Sequence, residues 1–132
     1  MVKTVADMLA AAHAVVEQVD IKDVKTMIEA EDALLLDVRD APEVEKTGLA
    51  KGAHHISRGM LEFRADTLTQ FHDKELRKDR PIVIYCASGG RAALAGKLLV
   101  EMGYQKVYNL GGFKDWAEHG GEVQHLLDPG MG

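Results

Sequence analysis

The sequence predicts an α/β fold with parallel strands, and three observations along the chain lead to this prediction. Two short continuous apolar runs, at residues 33–38 and 81–86, are typical of strands buried on both faces. A periodic apolar segment at residues 91–102 separates the second run from a third at residues 106–110. Strand, helix and strand within about thirty residues form a βαβ unit, which requires parallel pairing and a right-handed crossover.

Two helices are predicted ahead of the first strand. Thr4 and Asp7 stand three positions apart, as in a capping box, before apolar residues that recur at helical spacing. We expect this amphipathic helix to pack on the domain, and a surface for a second copy or a partner is the alternative. Residues 20–30 predict a second, shorter helix. The apolar stripe of the first helix comprises Val5, Met8, Leu9, Ala12, Val16 and Val19.

The middle of the chain contributes the remaining predicted elements. Residues 81–86 are rich in β-branched side chains and begin with Pro81, at a position where a strand needs no ladder donor. A weaker strand is predicted near residues 53–56, and the polar stretch 58–80 predicts one or two short helices joined by a loop. Gly103 is placed as the C-terminal cap of the helix before the last strand.

Composition and charge limit the classes of protein to which this chain can belong. With 132 residues, of which 46% are hydrophobic, it can bury a core without a metal or disulfide. A net charge of −5 with no basic block argues against binding to nucleic acid or to an anionic membrane. No apolar run approaches the ~20 residues of a membrane span, and we expect no signal peptide. The expected compartment is therefore the cytoplasm.

Cys86 is the only cysteine in the sequence, so no disulfide can form within the chain. It lies at the carboxyl end of a predicted strand, the edge at which parallel sheets bind their ligands. The residues after it are small, include Gly89 and Gly90, and lead directly into a predicted helix. Such a segment can curl with its N–H groups pointing inward, as an anion-binding nest at a helix N-terminus. Both features favour the thiolate, the nucleophilic form of cysteine.

Arg91 closes this loop with a permanent positive charge. Its guanidinium is suited to holding an oxyanion of an incoming substrate or the negative charge of Cys86, and the two roles are compatible. A lone cysteine is most often a small buried hydrophobic residue, but the order of strand end, glycine turn, arginine and helix start favours catalysis here. We predict Cys86 as the catalytic nucleophile of a substrate-binding loop. This loop comprises Ala87, Ser88, Gly89, Gly90 and Arg91.

Four motifs, in order along the chain, resemble those of rhodanese-like domains. The first is Asp-Val-Arg at residues 37–39, with Glu43 shortly after it, and the second is a degraded G-H-I-x-G-A-x-x-I segment at residues 48–56. The third is the loop from Cys86 to Arg91, and the fourth is the closing LGGFKDW at residues 110–116. On these motifs the chain is identified as a member of the single-domain sulfurtransferase family of rhodanese-like proteins.

The resemblance implies a fold, a division of the chain and a reaction. It implies one central parallel sheet with helices on both faces, formed by residues 20–122. Residues 1–19 are then an extra N-terminal helical extension, and residues 123–132 a C-terminal tail. Cys86 would take the outer sulfur of a small anion such as thiosulfate, and the resulting persulfide would pass it to a thiol or cyanide. No cofactor is implied, and the six histidines form no cluster that predicts a metal site.

Two other functions remain open at the level of the sequence. The chain is a persulfide carrier or interaction module if it delivers sulfur to a partner protein, for which the first helix is a candidate surface. Cysteine phosphatases and arsenate reductases also place a cysteine at a strand end and an arginine at a helix start. Their loops carry five residues between the two, whereas Cys86 and Arg91 are separated by four, which shortens the chain by up to ~3.5 Å. The shorter ring favours a single sulfur atom over a tetrahedral oxyanion.

Four charged residues outside the loop have simpler interpretations. We expect Asp37 and Arg39 to brace nearby loops through hydrogen bonds and an ion pair. Arg58 and Arg64 lie in the polar middle segment, where each is either an ordinary solvated charge or a contact for the oxyanions of the donor. Trp116 is predicted to lie in the core.

Overall fold

The protein is described by a computed structural model over residues 2–125, and it has the predicted α/β fold. Residues 126–132 of the predicted tail lie outside the described residues. The strands are β1 Glu17–Gln18, β2 Leu34–Asp37, β3 Leu49–Ala50, β4 His54–His55, β5 Ile82–Cys86, β6 Val107–Gly112 and β7 Val123–Gln124. The helices are α1 Val5–Val15, α2 Ile21–Glu31, α3 Ala41–Thr47, α4 Leu61–Ala65, α5 Gly90–Glu101 and α6 Phe113–Glu118, with a 3-10 turn at Arg58–Met60 before α4.

The main sheet is parallel throughout and has the strand order β1-β6-β5-β2-β4. Every residue of β2 and β5 is buried. Along β5, Ile84 and Cys86 contribute to a core cluster with residues of α4 and α5, while Val83 and Tyr85 contribute to a second cluster with residues of α2 and α6. The sequence of β5 is therefore continuously apolar because helices cover both faces of the sheet, as predicted.

The N-terminal helix is shorter than its apolar stripe predicts. The capping box of Thr4 and Asp7 forms as expected, but the helix ends before residues 17–18, which form β1 and pair with β6. Because β6 would otherwise be an edge strand with unpaired backbone groups, this short strand protects it. The stripe therefore does not pack along its full length. Ala12 and Val16 are buried, whereas Val5 and Met8 remain exposed.

The segment after β2 contains elements that the sequence analysis did not predict. Asp40 and Glu43 form a capping box at the start of α3, and Pro42 lies in its first turn. These are helix-start signals, but the helix has only seven residues and too short an apolar pattern to show periodicity. The small antiparallel sheet pairs β3 with β7, so residues 123–124 are joined to the domain.

An irregularity between β5 and β6 positions the loop of interest. Ile84 pairs with Asn109, but the next residue, Tyr85, pairs with Gly111, so one residue of β6 is skipped. This β-bulge places Gly112 opposite Cys86. Within residues 2–125, no helix is long and apolar enough to cross a membrane.

Candidate active site

Cys86 ends β5 and lies inside the loop that the sequence predicts. Its side chain points into the sheet-and-helix core and the residue is only 1% exposed. The backbone N–H of Gly89 donates to Cys86 Sγ with an N···S distance of 2.9 Å, and the N–H of Ala92 lies at 3.4 Å from the same sulfur. The fold thus brings the predicted nucleophile and the predicted loop together, with backbone donors directed at the sulfur.

The glycines around the loop allow this curl of the backbone. Gly89 has φ +108° and precedes the first turn of α5, a left-handed conformation that side chains rarely permit. In the described part of the chain, the N–H groups of Gly90 and Arg91 donate to no protein acceptor, so they remain available at the helix N-terminus. Gly112 is equally constrained, because a Cβ there would lie 2.4 Å from the carbonyl oxygen of Ala87.

Asn109, on strand β6, is hydrogen-bonded to the loop. It is not among the site residues predicted from the sequence. Its side chain is 1% exposed, and its amide Nδ2 donates to the carbonyl oxygen of Gly89 at 3.3 Å. Its Oδ1 accepts from the N–H of Gly111 at 2.8 Å, which fixes the β-bulge. The available signal was a polar residue inside a strand predicted to be buried, because buried polar groups need hydrogen-bond partners.

Arg91 is bound to a carboxylate rather than left free for an anion. Its Nη1 and Nη2 donate to Glu43 Oε1 and Oε2 at 2.6 and 2.9 Å, in a two-point ion pair that joins α5 to α3. The hydrogen bond from Arg91 lowers the pKa of Glu43 from its ordinary 4.5 to about 2, and the bond to Glu43 raises the pKa of Arg91. A negative charge on Cys86 would act in the same direction on the pKa of Arg91.

Asp37 and Arg39 form the brace that the sequence predicts. Arg39 Nε and Nη2 donate to Asp37 Oδ2 at 2.9 and 2.7 Å, and the two side chains are 3% and 0% exposed. The same guanidinium donates to Thr47 Oγ1 and to the carbonyl oxygen of Gly48, both at 2.7 Å. Burial alone would lower the pKa of Arg39, but its bonds and attraction to Asp37 raise it. The brace therefore fixes the end of α3, the helix that carries Glu43.

A family model described as "Rhodanese-like domain" matches residues 20–119. The chain belongs to this family. This match confirms the resemblance that the four sequence motifs indicate.

Three similar proteins are informative about activity. A thiosulfate sulfurtransferase from Coxiella burnetii is 31% identical over 94 residues, which cover 70% of this chain and 79% of that protein. A polysulfide-sulfur transferase homodimer from Wolinella succinogenes has 35% identity and a TM-score of 0.70, covering 92% of this chain and 87% of the other. A protein of unknown function from Rhodopseudomonas palustris, described as a possible tyrosine phosphatase, has 32% identity and a TM-score of 0.85, covering 94% and 96%.

The comparisons confirm the predicted sulfurtransferase activity at the level of the rhodanese-like class. One of these matches also extends into the N-terminal helix α1. The match to the Rhodopseudomonas protein leaves 6% of 132 residues uncovered, which is about eight, fewer than the 11 residues of α1. At least part of α1 therefore falls within the segment matched to that structure, although it lies outside the family match at residues 20–119.

The remaining candidate residues of the rhodanese-like domain line other cavities or lie in the core. Arg58 pairs with Glu62 at 3.0 Å and lines a groove between α1 and α5, and Arg64 lines a separate cavity with His54. Trp116 is buried, as predicted, and its Nε1 donates to the carbonyl oxygen of Glu122 at 2.7 Å. Among the described residues, no group of three histidine, cysteine or acidic side chains is arranged to hold a metal ion.

Proposed function

We propose that this rhodanese-like protein carries sulfane sulfur as a persulfide on Cys86. The donor is a small anion such as thiosulfate, and the acceptor is a thiol or cyanide. The observation that carries the proposal is the cluster of backbone donors around the sulfur, with the N–H groups of Gly89 and Ala92 at 2.9 and 3.4 Å. Donors at a helix N-terminus stabilise a thiolate and would equally stabilise the charged outer sulfur of a persulfide.

The first half of the reaction loads the sulfur. The Cys86 thiolate attacks the outer sulfur of thiosulfate, a new S–S bond forms, and the old S–S bond breaks with its electron pair on the departing sulfite. The N–H groups of Gly90 and Arg91 are positioned at the helix start to receive the charge of the bound sulfur. Because the guanidinium of Arg91 is engaged by Glu43, we propose that the loop from Ala87 to Arg91 binds substrate chiefly through its backbone.

The second half of the reaction must use an outside acceptor. The chain has one cysteine, so no second thiol within it can resolve the persulfide as a disulfide. A thiolate or cyanide attacks the outer sulfur, and the electron pair of the broken bond returns to Cys86. The same chemistry serves a carrier that hands its sulfur to a partner protein, and a cytoplasmic location remains part of the proposal.

Intact-mass measurement tests the persulfide directly. We expect the wild-type protein to gain one sulfur atom after treatment with thiosulfate, and to lose it after addition of cyanide. Cys86→Ala should gain none, whereas His72→Ala, a change outside the loop that makes no hydrogen bond to Cys86, should load like the wild type. Absence of a sulfur adduct on the wild type with both thiosulfate and polysulfide would overturn the proposal.

A phosphatase is the second candidate, because the Rhodopseudomonas protein is described as a possible tyrosine phosphatase. The loop has four residues between Cys86 and Arg91, and the guanidinium that a phosphate would need is paired with Glu43. We therefore expect no turnover of phosphotyrosine or arsenate. Turnover that disappears in Cys86→Ser would favour the phosphatase or reductase reaction over sulfur transfer.

A further inference from the structure

A cleft of about 320 Å³ lies beside the loop, between the end of α1 and the end of β6. Its size falls at the lower end of the range of about 300–1,000 Å³ that is usual for small-molecule sites. We call it the acceptor cleft. It is lined by residues 88–90 and 109–111 and by the side chains of Leu9, His13, Gln18 and Asp115.

The acceptor cleft is separated from the sulfur by one residue. Gly89 lines the cleft, and its N–H lies 2.9 Å from Cys86 Sγ. A Cβ on Gly89 would lie 3.4 Å from Gly111 Cα, and a Cβ on Gly111 would lie 3.6 Å from Asp115 Oδ2. This part of the cleft is therefore formed by the backbone of two glycines, and the Asp115 carboxylate lies next to it.

The two sides of the acceptor cleft offer opposite kinds of polar group. On one side, the neighbours of Asp115 are engaged elsewhere: Lys114 pairs with Glu118 at 3.7 Å, and the ring of His119 contacts only the main-chain oxygen of Asp115. Within residues 2–125 the Asp115 carboxylate thus has no ion-pair partner. On the other side, Gln18 Nε2 lies 3.4 Å from His13 Nδ1. Because an amide nitrogen donates, we assign Nδ1 as the acceptor of this contact and the ring N–H to His13 Nε2.

We propose that the acceptor cleft binds the sulfur acceptor as a small thiol that carries both an ammonium and a carboxylate group. Asp115 would attract the ammonium group, and the His13 N–H would bind the carboxylate. The same Asp115 charge repels a dianion, so the cleft discriminates between acceptor and thiosulfate. This inference rests on the proposed persulfide of Cys86.

The transfer step itself is balanced without any further reactant. With its charged groups held in the cleft, the acceptor extends its thiolate past Gly89 to attack the outer sulfur of the persulfide, and a new S–S bond forms between them. The bond from Cys86 Sγ breaks, its electron pair returns to Cys86 as thiolate, and the acceptor leaves as a persulfide. Because Leu9 and His13 belong to α1, which lies outside the family match, this selectivity would depend on the N-terminal helix.

The test uses full-length protein loaded with thiosulfate, freed of excess donor and checked by intact mass. Single-turnover transfer is measured to L-cysteine, cysteamine, 3-mercaptopropionate and 2-mercaptoethanol, with rates compared at equal thiolate concentration. We expect L-cysteine to exceed 2-mercaptoethanol by about tenfold in the wild type, as one charge-assisted contact would give. Each rate is expressed as a ratio to the rate with 2-mercaptoethanol. Asp115→Asn should lower this ratio for L-cysteine and cysteamine, which carry an ammonium group. His13→Ala should lower it for L-cysteine and 3-mercaptopropionate, which carry a carboxylate.

A matched control and two distinct failures make the test decisive. Glu17→Gln removes an exposed carboxylate next to Gln18 but outside the lining of the cleft, and should keep the wild-type ratios. Equal rates for all four thiols in the wild type, or the same ratios in Asp115→Asn as in Glu17→Gln, would overturn the inference. Failure to load any sulfur would instead show in the mass spectrum and would contradict the proposed persulfide.

Discussion

Two arginine–carboxylate pairs lie at the same edge of the sheet and differ in burial. Asp37 and Arg39 are 0% and 3% exposed, whereas Glu43 and Arg91 are 35% and 37% exposed. The buried guanidinium also has a hydroxyl and a carbonyl acceptor and lies 4.3 Å from the ring centroid of Phe113. A buried charge requires this full set of partners, while a half-exposed pair is partly satisfied by water.

The two pairs are connected through α3. Arg39 holds the last turn of this helix and the residue after it, through Thr47 and Gly48, and Glu43 on the same helix holds Arg91. Arg91 belongs to the first turn of α5, next to the N–H groups around Cys86. The same chemistry therefore serves two purposes: the buried pair fixes the architecture, and the half-exposed pair positions the loop.

The largest expected effect is on stability, when each pair loses its carboxylate charge. Asp37→Asn should lower the free energy of unfolding by about 3–5 kcal/mol, because it leaves the Arg39 cation buried without a counter-charge. Glu43→Gln, the same chemical change in the exposed pair, should cost about 1 kcal/mol or less. Urea denaturation followed by circular dichroism measures both. Equal losses would show that burial does not distinguish the pairs.

A smaller effect is expected on the rate of sulfur loading when the two-point bond to Glu43 is lost. Arg91→Lys keeps the charge, but an ammonium group cannot make two parallel hydrogen bonds to one carboxylate. We expect persulfide formation from thiosulfate to slow by about tenfold, the effect of one charge-assisted hydrogen bond. Lys97→Arg, on the same helix and paired with Glu101, is the control and should load normally. A wild-type rate in Arg91→Lys would remove the loop-positioning role.

The smallest effect concerns pH. The pKa of Glu43 is about 2 in the folded protein and 4.5 ordinarily, so its pair adds stability above pH 4.5 that is lost as the pH falls through about 2. Because the group is partly exposed, we expect at most about 1 kcal/mol. The difference in unfolding free energy between wild type and Glu43→Gln should be constant from pH 5 to 7 and shrink below about pH 4.5. A difference that grows on acidification would contradict this assignment.

Local sequence patterns are sufficient to predict the fold class and the location of the loop. Both follow from local rules: an apolar run marks a strand covered on both faces, and a cysteine followed by glycines, an arginine and a helix marks an anion nest. The four family motifs added the sulfur-transfer reaction. None of these conclusions requires knowledge of which distant residues meet.

The groups that surround the sulfur come together through contacts between distant parts of the chain. Glu43 meets Arg91 across 48 positions of sequence, and Asn109 reaches Gly89 across 20. His13 and Asp115 come to one cleft because β1 pairs with β6 and returns α1 to the loop. Such contacts depend on strand order and on the bulge in β6, which arise from packing of the whole chain. A polar Asn109 in a buried strand indicates that a partner is needed but not which residue supplies it.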